Sequence, residues 1–512
     1  MVILFFGIMI GIGIYCKKNS TDVDGFVLGG RSVGPWLTAF AYGTSYFSAV
    51  VFVGYAGQFG WKYGIAATWA GIGNALIGSL MAWWILGRRT RVMTQHLSSA
   101  TMPQFFEKRF ASPGLKLAAS AIIFIFLIPY TASLYNGLSR LFGMAFNIDY
   151  SVCVIVMAVI TAVYVIIGGY MATAVNDFVQ GIVMIAGIIA VISAVLKGQG
   201  GFTEALSQLG QVSDPTVSDI PGAFISFLGP DPANLLGVVI LTSLGTWGLP
   251  QMVQKFYAIK SEKAINKGMI ISTVFALIVA GGCYFLGGFG RLFSDRVDVA
   301  AEGYDAIIPA MLSDLSPFLI SVVVILVLSA SMSTLSSLVL TSSSTLTLDF
   351  IKGNMVKKMS EKRQLLTIRA LIVVFILISV VLALIQHNSS VTFIAQLMGI
   401  SWGALAGAFL APFLFGLYWK KTTKAAVWTS FLFSTVVMLS NIFFPQYFPA
   451  LLRSPINAGV FCMLAGLILV PAVSLITRKP NAEHIRQVFS CYDRTVTVCV
   501  TDSIGDTKED TQ

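Results

Sequence analysis

The sequence has little charge and little histidine. Only 11% of its 512 residues are charged, while 56% are hydrophobic. A soluble domain does not form from such a composition, so the chain is predicted to be an integral membrane protein. The three histidines, His96, His387 and His484, lie at the edges of apolar stretches, which disfavours a chain of proton carriers across the membrane.

Several sequence motifs of pumps and enzymes are also missing. No glycine-rich loop ends in GK[ST], which excludes the usual phosphate-binding loop of an ATP-driven pump. The apolar stretches contain no nucleophile and base in a catalytic pattern, so an enzyme is not expected. The six cysteines form no pair in a predicted extracellular loop, and we expect no structural disulfide.

The chain is instead rich in long apolar stretches. The first begins at Met1 without a basic leader or a small-residue cleavage site, which favours a retained helix over a signal peptide. Together the stretches predict thirteen transmembrane helices. They run near 2–16, 35–58, 66–87, 115–138, 150–169, 177–196, 234–256, 268–290, 316–348, 366–386, 391–418, 424–443 and 456–477.

The basic residues that give the chain its net charge of +10 are distributed unevenly between the two predicted sides of the membrane. With the N-terminus outside and thirteen crossings, 27 of the 33 Lys and Arg residues fall on the cytoplasmic side and six outside. This asymmetry is the positive-inside pattern, and it removes the need for a nucleic-acid partner. We therefore expect a multi-pass plasma-membrane protein with a cytoplasmic C-terminus and no Lys, Arg or His deep in any span.

Two of the predicted spans are interrupted near their middle. Gly43, Thr44 and Ser45 interrupt the span near 35–58, and Gly245, Gly248 and Pro250 interrupt the span near 234–256. Glycine and proline weaken a helix, and freed backbone groups are costly in lipid unless they line a cavity. A matched pair of broken helices predicts inverted repeats with a binding site at the membrane midplane. The alternative is a pair of glycine-kinked packing helices.

A ladder of hydroxyls runs through the span near 316–348. Ala330, Ser333, Thr334 and Ser337 are spaced to share one helix face. Oxygen donors in such an array suit a small alkali cation, although a polar helix–helix contact is an alternative. Asp177 is the one acid at the start of a span without a soluble flank, which predicts either a functional carboxylate or a helix N-cap.

Four segments in order resemble the sodium:solute symporter family. They are DGFVLGGRSVGPW, YVIIGGYMATAVNDFVQ, GLPQMVQKFYAIKSEKAINKG and SASMSTLSSLVLTSSSTLTLDF, and the resemblance runs from about residue 10 to residue 475. It implies an all-α membrane protein whose LeuT-type core contains two inverted five-helix repeats, with one extra helix before and two after. The implied division is an N-terminal helix (1–18), a first repeat (35–198), an extracellular loop (199–233), a second repeat (234–418), two C-terminal helices (424–477) and a cytoplasmic tail (478–512).

The resemblance also implies where sodium binds. The main site is expected to use backbone carbonyls and two hydroxyls, and a second site is expected in members that couple two ions. The main site comprises Thr44, Phe47, Ala330, Ser333 and Thr334; the second comprises Asp177, Ser333, Ser336 and Ser337. Because all positions of the second site carry oxygen side chains, two sodium ions per cycle are favoured over one. No organic cofactor is implied.

The solute is less well defined by the resemblance. The implied substrate positions are Tyr46, Ser48, Val51, Gly54, Thr242, Thr246, Trp247 and Pro250. Proline carriers have Asp at position 46, Trp at 242 and Tyr at 246, and these departures speak against proline. The segments SYFSA and GLPQMVQKF resemble the pantothenate branch, so the first expectation is a small organic carboxylate, with a neutral amino acid such as proline, a sugar or sialic acid as alternatives.

The predicted function is sodium-driven import of a small organic solute by alternating access. The partners expected are the solute, sodium and the lipid bilayer, with no obligatory protein partner. A channel or a non-transporting sensor on the same fold is the alternative from another class. The short tail lacks a signalling domain and the broken helices do not form a uniform pore lining, so both are disfavoured.

Overall fold

The structure is a computed structural model whose described part is almost entirely helical. It describes residues 2–17, 21–45, 47–146, 148–215, 217–218, 220–352, 354–356, 358–387 and 394–493. Within these ranges there is no β-strand, only isolated bridges. An all-helical chain is what a bilayer demands, because each helix satisfies its own backbone hydrogen bonds.

The α-helices are numbered in chain order. They are α1 Val2–Cys16, α2 Val23–Leu28, α3 Pro35–Thr44, α4 Ala56–Tyr63, α5 Thr68–Gly73, α6 Arg88–His96, α7 Met102–Phe110, α8 Pro113–Phe146, α9 Tyr150–Gly198, α10 Phe202–Gln211, α11 Pro232–Leu244, α12 Pro250–Ala258, α13 Glu262–Gly287, α14 Val299–Glu302, α15 Ile307–Leu312, α16 Pro317–Thr345, α17 Glu361–His387, α18 Ile394–Tyr418, α19 Lys424–Phe443, α20 Pro455–Ile476 and α21 Ala482–Phe489.

Shorter π and 3₁₀ segments extend or join these helices. The π segments are Val50–Tyr55, Asn74–Met81, Trp83–Gly87 and Leu346–Ile351; the 3₁₀ segments are Gly29–Arg31, Gly64–Ala67, Ala223–Ile225, Gly245–Gly248, Gly290–Phe293, Tyr304–Ala306, Pro445–Tyr447, Ala450–Leu452 and Ser490–Tyr492.

Nine helices of the described part are long and apolar enough to cross a membrane, and the bent pair α11–α12 makes up to ten. Two of these stretches contain a glycine with positive φ: Gly64 at 59° in the combined helical stretch Val50–His96, and Gly169 at 57° in α9. Dividing them there and adding α1 is compatible with thirteen spans. The number thirteen stays a prediction.

Gly169 divides α9 between the fifth and sixth predicted spans. Its φ of 57° and ψ of −152° are outside the helical range, and a Cβ at this position would lie 2.9 Å from the carbonyl oxygen of Phe26. The helix that contains the sixth predicted span therefore starts just after Gly169, ahead of the predicted span start near residue 177. The hydropathy pattern gives the later position because YMATAVND contains polar residues that the fold buries.

Both predicted helix interruptions are confirmed. Helix α3 ends at Thr44, and regular helical structure resumes only with the π segment Val50–Tyr55. Helix α11 passes through a 3₁₀ turn, Leu249 is extended at φ −82° and ψ 123°, and α12 starts at Pro250 with a bend of 46°. Proline suits the first position of α12 because it has no amide hydrogen to leave unpaired.

The broken helices lie against a central group of long helices. Helix α16 packs on α8 and α9, and α3 packs on α9 and α13. Helices α4 and α13 approach so closely that a Cβ on Gly60 would lie 1.9 Å from the carbonyl oxygen of Gly287. This packing brings the break in α3, the hydroxyls of α16 and the second half of α9 together inside the protein.

Candidate functional site: the broken helices and α16

The hydroxyl of Thr334 lies where three backbone carbonyls converge. Its Oγ1 is 3.2 Å from the carbonyl oxygen of Thr44, 3.1 Å from that of Phe47 and 3.1 Å from that of Ala330. A hydroxyl has one proton to donate, so it satisfies only one of the three acceptors. The remaining oxygens form a compact group of the kind that replaces the hydration shell of a small cation.

Two of these carbonyls, those of Thr44 and Phe47, lie at the break in α3, while that of Ala330 lies within α16. The amide of Val51 donates to the carbonyl of Ser48 at 3.0 Å, and so does that of Phe52. The carbonyl of Phe47 therefore does not receive the helical bond from Val51. In addition, the hydroxyl of Ser333 is buried and has no hydrogen-bond partner in the described part of the chain.

The predicted residues of the main sodium site therefore lie together. Four of the five contribute oxygens to the group around Thr334, and Ser333 is its neighbour on α16. A donor set of carbonyls and hydroxyls, with one buried hydroxyl unpartnered, fits a hard monovalent cation. The assignment of sodium to these residues stays a prediction.

The residues of the second predicted sodium site surround the buried carboxylate of Asp177. Asp177 is fully buried, and neither of its oxygens has a hydrogen-bond partner among the described residues. The charge of Lys255 and the nearby hydroxyl of Ser333 both stabilise its ionised form. The hydroxyl of Ser336 donates to the carbonyl of Ser333 at 2.8 Å, while that of Ser337 lies 3.0 Å from the hydroxyl of Ser45.

The helix-cap alternative for Asp177 is wrong. The residue lies more than two turns after the break at Gly169, in continuous helix, where no free amide is available to a cap. Its carboxylate points into the contact between α9 and α16 instead of towards a helix start.

Lys255 corrects the expectation that no basic residue lies deep in a span. It is on α12, only 1% exposed, and its Nζ donates to the hydroxyl of Ser337 at 3.1 Å. Sequence reasoning assigned it to a cytoplasmic loop because it lies near the end of an apolar stretch and begins a run of basic residues. The mixed motif GLPQMVQKF, with two glutamines and a lysine directly after a helix break, was the available signal.

The predicted substrate residues lie at the two helix breaks, apart from Tyr46, which is outside the described residues. Ser48, Val51 and Gly54 are buried on the first core helix. The polar side chains of the predicted substrate residues in the second broken span already have hydrogen-bond partners. The hydroxyl of Thr242 donates to Val238, that of Thr246 to Ser243, and the indole of Trp247 to Ile77; Pro250 begins α12.

Sequence reasoning missed a group of buried polar side chains beside Ser48. The hydroxyl of Tyr130 on α8 and the indole nitrogen of Trp402 on α18 have no hydrogen-bond partner within the described ranges. Their rings meet edge to face at 6.0 Å, and Tyr130 interacts with the hydroxyl of Ser48. Gln251, also fully buried, leaves both polar atoms of its amide unpaired. Buried polar side chains beside a helix break are candidates for contact with a bound solute.

A cavity of about 920 Å³ opens at one end of the broken helices. Its lining includes Gln58 and Tyr63 of α4, Asn234 of α11 and Ile400 of α18. These residues lie at the ends of the helices that the positive-inside pattern places outside. The cavity is large enough for a small organic solute.

The opposite ends of the same helices are held together. The amide of Val33 donates to the carbonyl of Ala258 at 3.3 Å, and the amide of Lys260 donates to the carbonyl of Val33 at 3.0 Å. Arg31 adds hydrogen bonds to the carbonyls of Ser99 at 2.6 Å and Tyr257 at 3.5 Å. Burial lowers the pKa of the Arg31 guanidinium, while Asp24 raises it. We name this group the inner closure.

A family model described as "Sodium:solute symporter family" matches residues 26–432. The chain belongs to this family. Its members are secondary transporters and not enzymes, which confirms the predicted family and class.

Curated relatives cover nearly the whole chain. The osmoregulated proline transporter OpuE of Bacillus subtilis (strain 168) is 28% identical over 487 residues, covering 94% of this chain and 95% of its own. A sodium/proline symporter of Staphylococcus aureus (strain JH9) is 28% identical over 504 residues, covering 94% of this chain and 93% of its own.

Solved structures of similar fold include a substrate-bound, outward-open Na⁺-coupled sialic acid symporter. It superposes with a TM-score of 0.73 at 16% identity, covering 93% of this chain and 97% of the other. The hydantoin-bound closed form of Mhp1, a nucleobase-cation-symport-1 transporter, has a TM-score of 0.51 at 13% identity and covers 90% of this chain. The predicted all-α, LeuT-type membrane fold is confirmed.

Proposed function

We propose that this protein is a sodium-driven symporter that imports a small neutral amino acid, with proline as the first candidate. The observation that carries the sodium assignment is the group of three carbonyl oxygens around the Thr334 hydroxyl at the break of α3. A cation bound there would contact oxygen atoms of both the break in α3 and α16. Its affinity would therefore depend on how the two helices are placed relative to each other.

The choice of solute rests on the relatives. Two curated transporters that align over nearly the full chain are named for proline. The predicted organic carboxylate of the pantothenate type is unconfirmed, and the proline alternative is better supported. Proline also carries a carboxylate, so the two candidates share one charged group and differ in the secondary amine.

The binding region is able to hold such a solute without a buried arginine. The unpartnered hydroxyl of Tyr130, the indole of Trp402 and the amide of Gln251 offer donors and acceptors beside the breaks. We propose that the cavity lined by Gln58, Tyr63 and Asn234 is the route by which the solute enters.

We also propose a second cation site formed by Asp177, Ser333, Ser336 and Ser337. The support is a fully buried carboxylate without a hydrogen-bonding partner in the described structure, facing hydroxyls of α16. A buried carboxylate is stabilised by a neighbouring cation and is costly without one.

Uptake into proteoliposomes tests this function. An inward sodium gradient should drive accumulation of labelled proline, whereas an equal potassium or proton gradient should not. The same assay with pantothenate, lactate, glucose and sialic acid ranks the alternatives. Accumulation that follows pH and ignores sodium would remove the proposal.

The Thr334→Ala variant tests the main site in the same assay. Removing its hydroxyl should raise the sodium concentration for half-maximal uptake by roughly tenfold, equivalent to about 1.4 kcal/mol. Ser379→Ala on α17 is the matched control, because that hydroxyl is also buried and bonds only within its own helix. Equal sodium dependence in Thr334→Ala, Ser379→Ala and the unmodified protein would contradict the assignment.

A further inference from the structure

Lys255 is a fully buried cation next to the proposed second cation site. It lies on α12, in the half-helix that follows the break at Leu249. Its ammonium group donates to the hydroxyl of Ser337 at 3.1 Å and lies 5.1 Å from the centre of the Tyr170 ring. An ammonium group in this position is held by a hydroxyl oxygen and an aromatic face, and both of these also attract other cations.

The ammonium group shares its surroundings with Asp177. The carboxylate has no hydrogen bond within the described ranges, and its charge is opposed by that of Lys255. Hydroxyls of the site are neutral, so Lys255 is the group that balances this buried negative charge. Removing either of two opposite buried charges leaves the other without compensation.

The same hydroxyl also connects to the first broken helix. Ser337 lies 3.0 Å from the hydroxyl of Ser45, which follows the last residue of α3 and in turn donates to the carbonyl of Ala41 at 2.5 Å. Ser337 therefore stands between Lys255 of α12 and Ser45 of α3. A sodium ion bound by Ser337 would use the same hydroxyl oxygen that now accepts the hydrogen bond from the Lys255 ammonium group.

We propose that Lys255 is a tethered cation that competes with sodium for the second site, so that its ammonium group must leave Ser337 before a sodium ion binds beside Asp177. This inference rests on the proposed sodium symport. One carboxylate does not balance two adjacent cations in a buried site, so the two occupants exclude each other. The exchange links ion binding to movement of α12, the half-helix that also forms part of the inner closure.

Thermal unfolding of the purified full-length protein tests the competition without relying on transport. Melting temperature is measured against sodium concentration, with choline replacing sodium at constant ionic strength. In Lys255→Met the carboxylate of Asp177 has no internal counter-charge, so the sodium concentration for half-maximal stabilisation should fall at least tenfold. Lys255→Arg keeps the charge and should not show this fall.

Two further variants separate competition from a general effect of the substitution. Asp177→Asn combined with Lys255→Met removes both charges, and its half-maximal sodium concentration should not fall. Lys260→Met is the matched control, because Lys260 is exposed and follows α12. It should behave as the unmodified protein does. Lys255→Met purified in high sodium and then dialysed provides the titration if that variant is unstable in choline.

The outcomes distinguish this inference from the proposed function. A melting temperature of the unmodified protein that ignores sodium would overturn sodium binding altogether. If the unmodified protein responds to sodium and Thr334→Ala weakens that response, the main site stands. An unchanged or higher half-maximal concentration in Lys255→Met would then overturn the competition alone.

Discussion

At the residue scale, the positions of the oxygen atoms that we propose as ligands were easier to predict than the burial of Lys255 beside them. The spacing of Ser333, Thr334 and Ser337 places them on one face of α16, and their direction follows from helix geometry alone. Lys255 was missed because its burial depends on the neighbours that α12 meets, Ser337 and Tyr170, which are 82 and 85 residues away in the sequence. Local hydropathy contains no information about such contacts.

The opposite buried charges of Asp177 and Lys255 predict the behaviour of Asp177→Asn. If Asp177 helps to bind a second sodium, the amide should lower uptake sharply and reduce the Hill coefficient for sodium from nearly two towards one. The amide also leaves the buried Lys255 ammonium without an opposing charge, so the melting temperature without sodium should fall.

Sodium-dependent uptake and thermal unfolding check this prediction together. Adding Lys255→Met to Asp177→Asn should recover most of the lost stability in choline, because no charge is then left unbalanced. Asp149→Asn serves as the control, since Asp149 is an exposed cap at the start of α9 that Asn replaces well. Unchanged cooperativity and unchanged stability in Asp177→Asn would leave Asp177 without a role in ion binding.

At the element scale, the broken helices were predictable, and the way their ends are joined was not. Glycine and proline at 43, 245, 248 and 250 indicate the breaks because of their backbone preferences. The inner closure joins the approach to α3 with the end of α12 through backbone bonds at Val33. Backbone-to-backbone bonds between distant segments depend on the whole fold and carry no signature in side-chain identity.

The inner closure should keep the protein closed on that side, while the large cavity at the opposite ends of the helices stays open. Arg31→Ala removes the hydrogen bonds to Ser99 and Tyr257, and we expect it to increase the share of molecules open on the inner side. Ser344, which lines a small cavity beside α12, reports this opening when replaced in a cysteine-free background as Ser344→Cys. Its rate of alkylation should rise several-fold in the Arg31→Ala variant.

A matched arginine on the other side controls for loss of a surface charge. Arg296 forms an ion pair with Asp314 near the start of α16, and Arg296→Ala should leave the alkylation rate unchanged. Exposed ion pairs contribute little to stability, so this control should be well folded. If Ser344→Cys is alkylated at the same rate with and without Arg31→Ala, the inner closure does not limit opening.

At the scale of the whole molecule, the family and the membrane fold were predictable and the solute was not. Four ordered motifs and the hydropathy pattern are spread over most of the chain, so a shift of a few residues at one helix start does not change the fold. We propose that the choice of solute depends on a few side chains at the breaks. One of these, Tyr46, lies outside the described residues, and Tyr130 and Trp402 come from α8 and α18, far away in sequence.

The orientation of the molecule in the membrane is a further prediction that charge distribution supplies. Lys421 and Arg453 are both exposed and lie on either side of α19, so one crossing separates them. In a cysteine-free background, Arg453→Cys in intact cells should react with a membrane-impermeant maleimide, whereas Lys421→Cys should react only after permeabilisation. The reason is that the cytoplasmic side retains basic loops during insertion, and 420–424 contains three lysines.

Because the pair flanks a single helix, the result does not depend on whether the total is thirteen spans. The reverse labelling would place the large cavity on the cytoplasmic side and the inner closure outside, and the proposed direction of solute entry through that cavity would then be wrong.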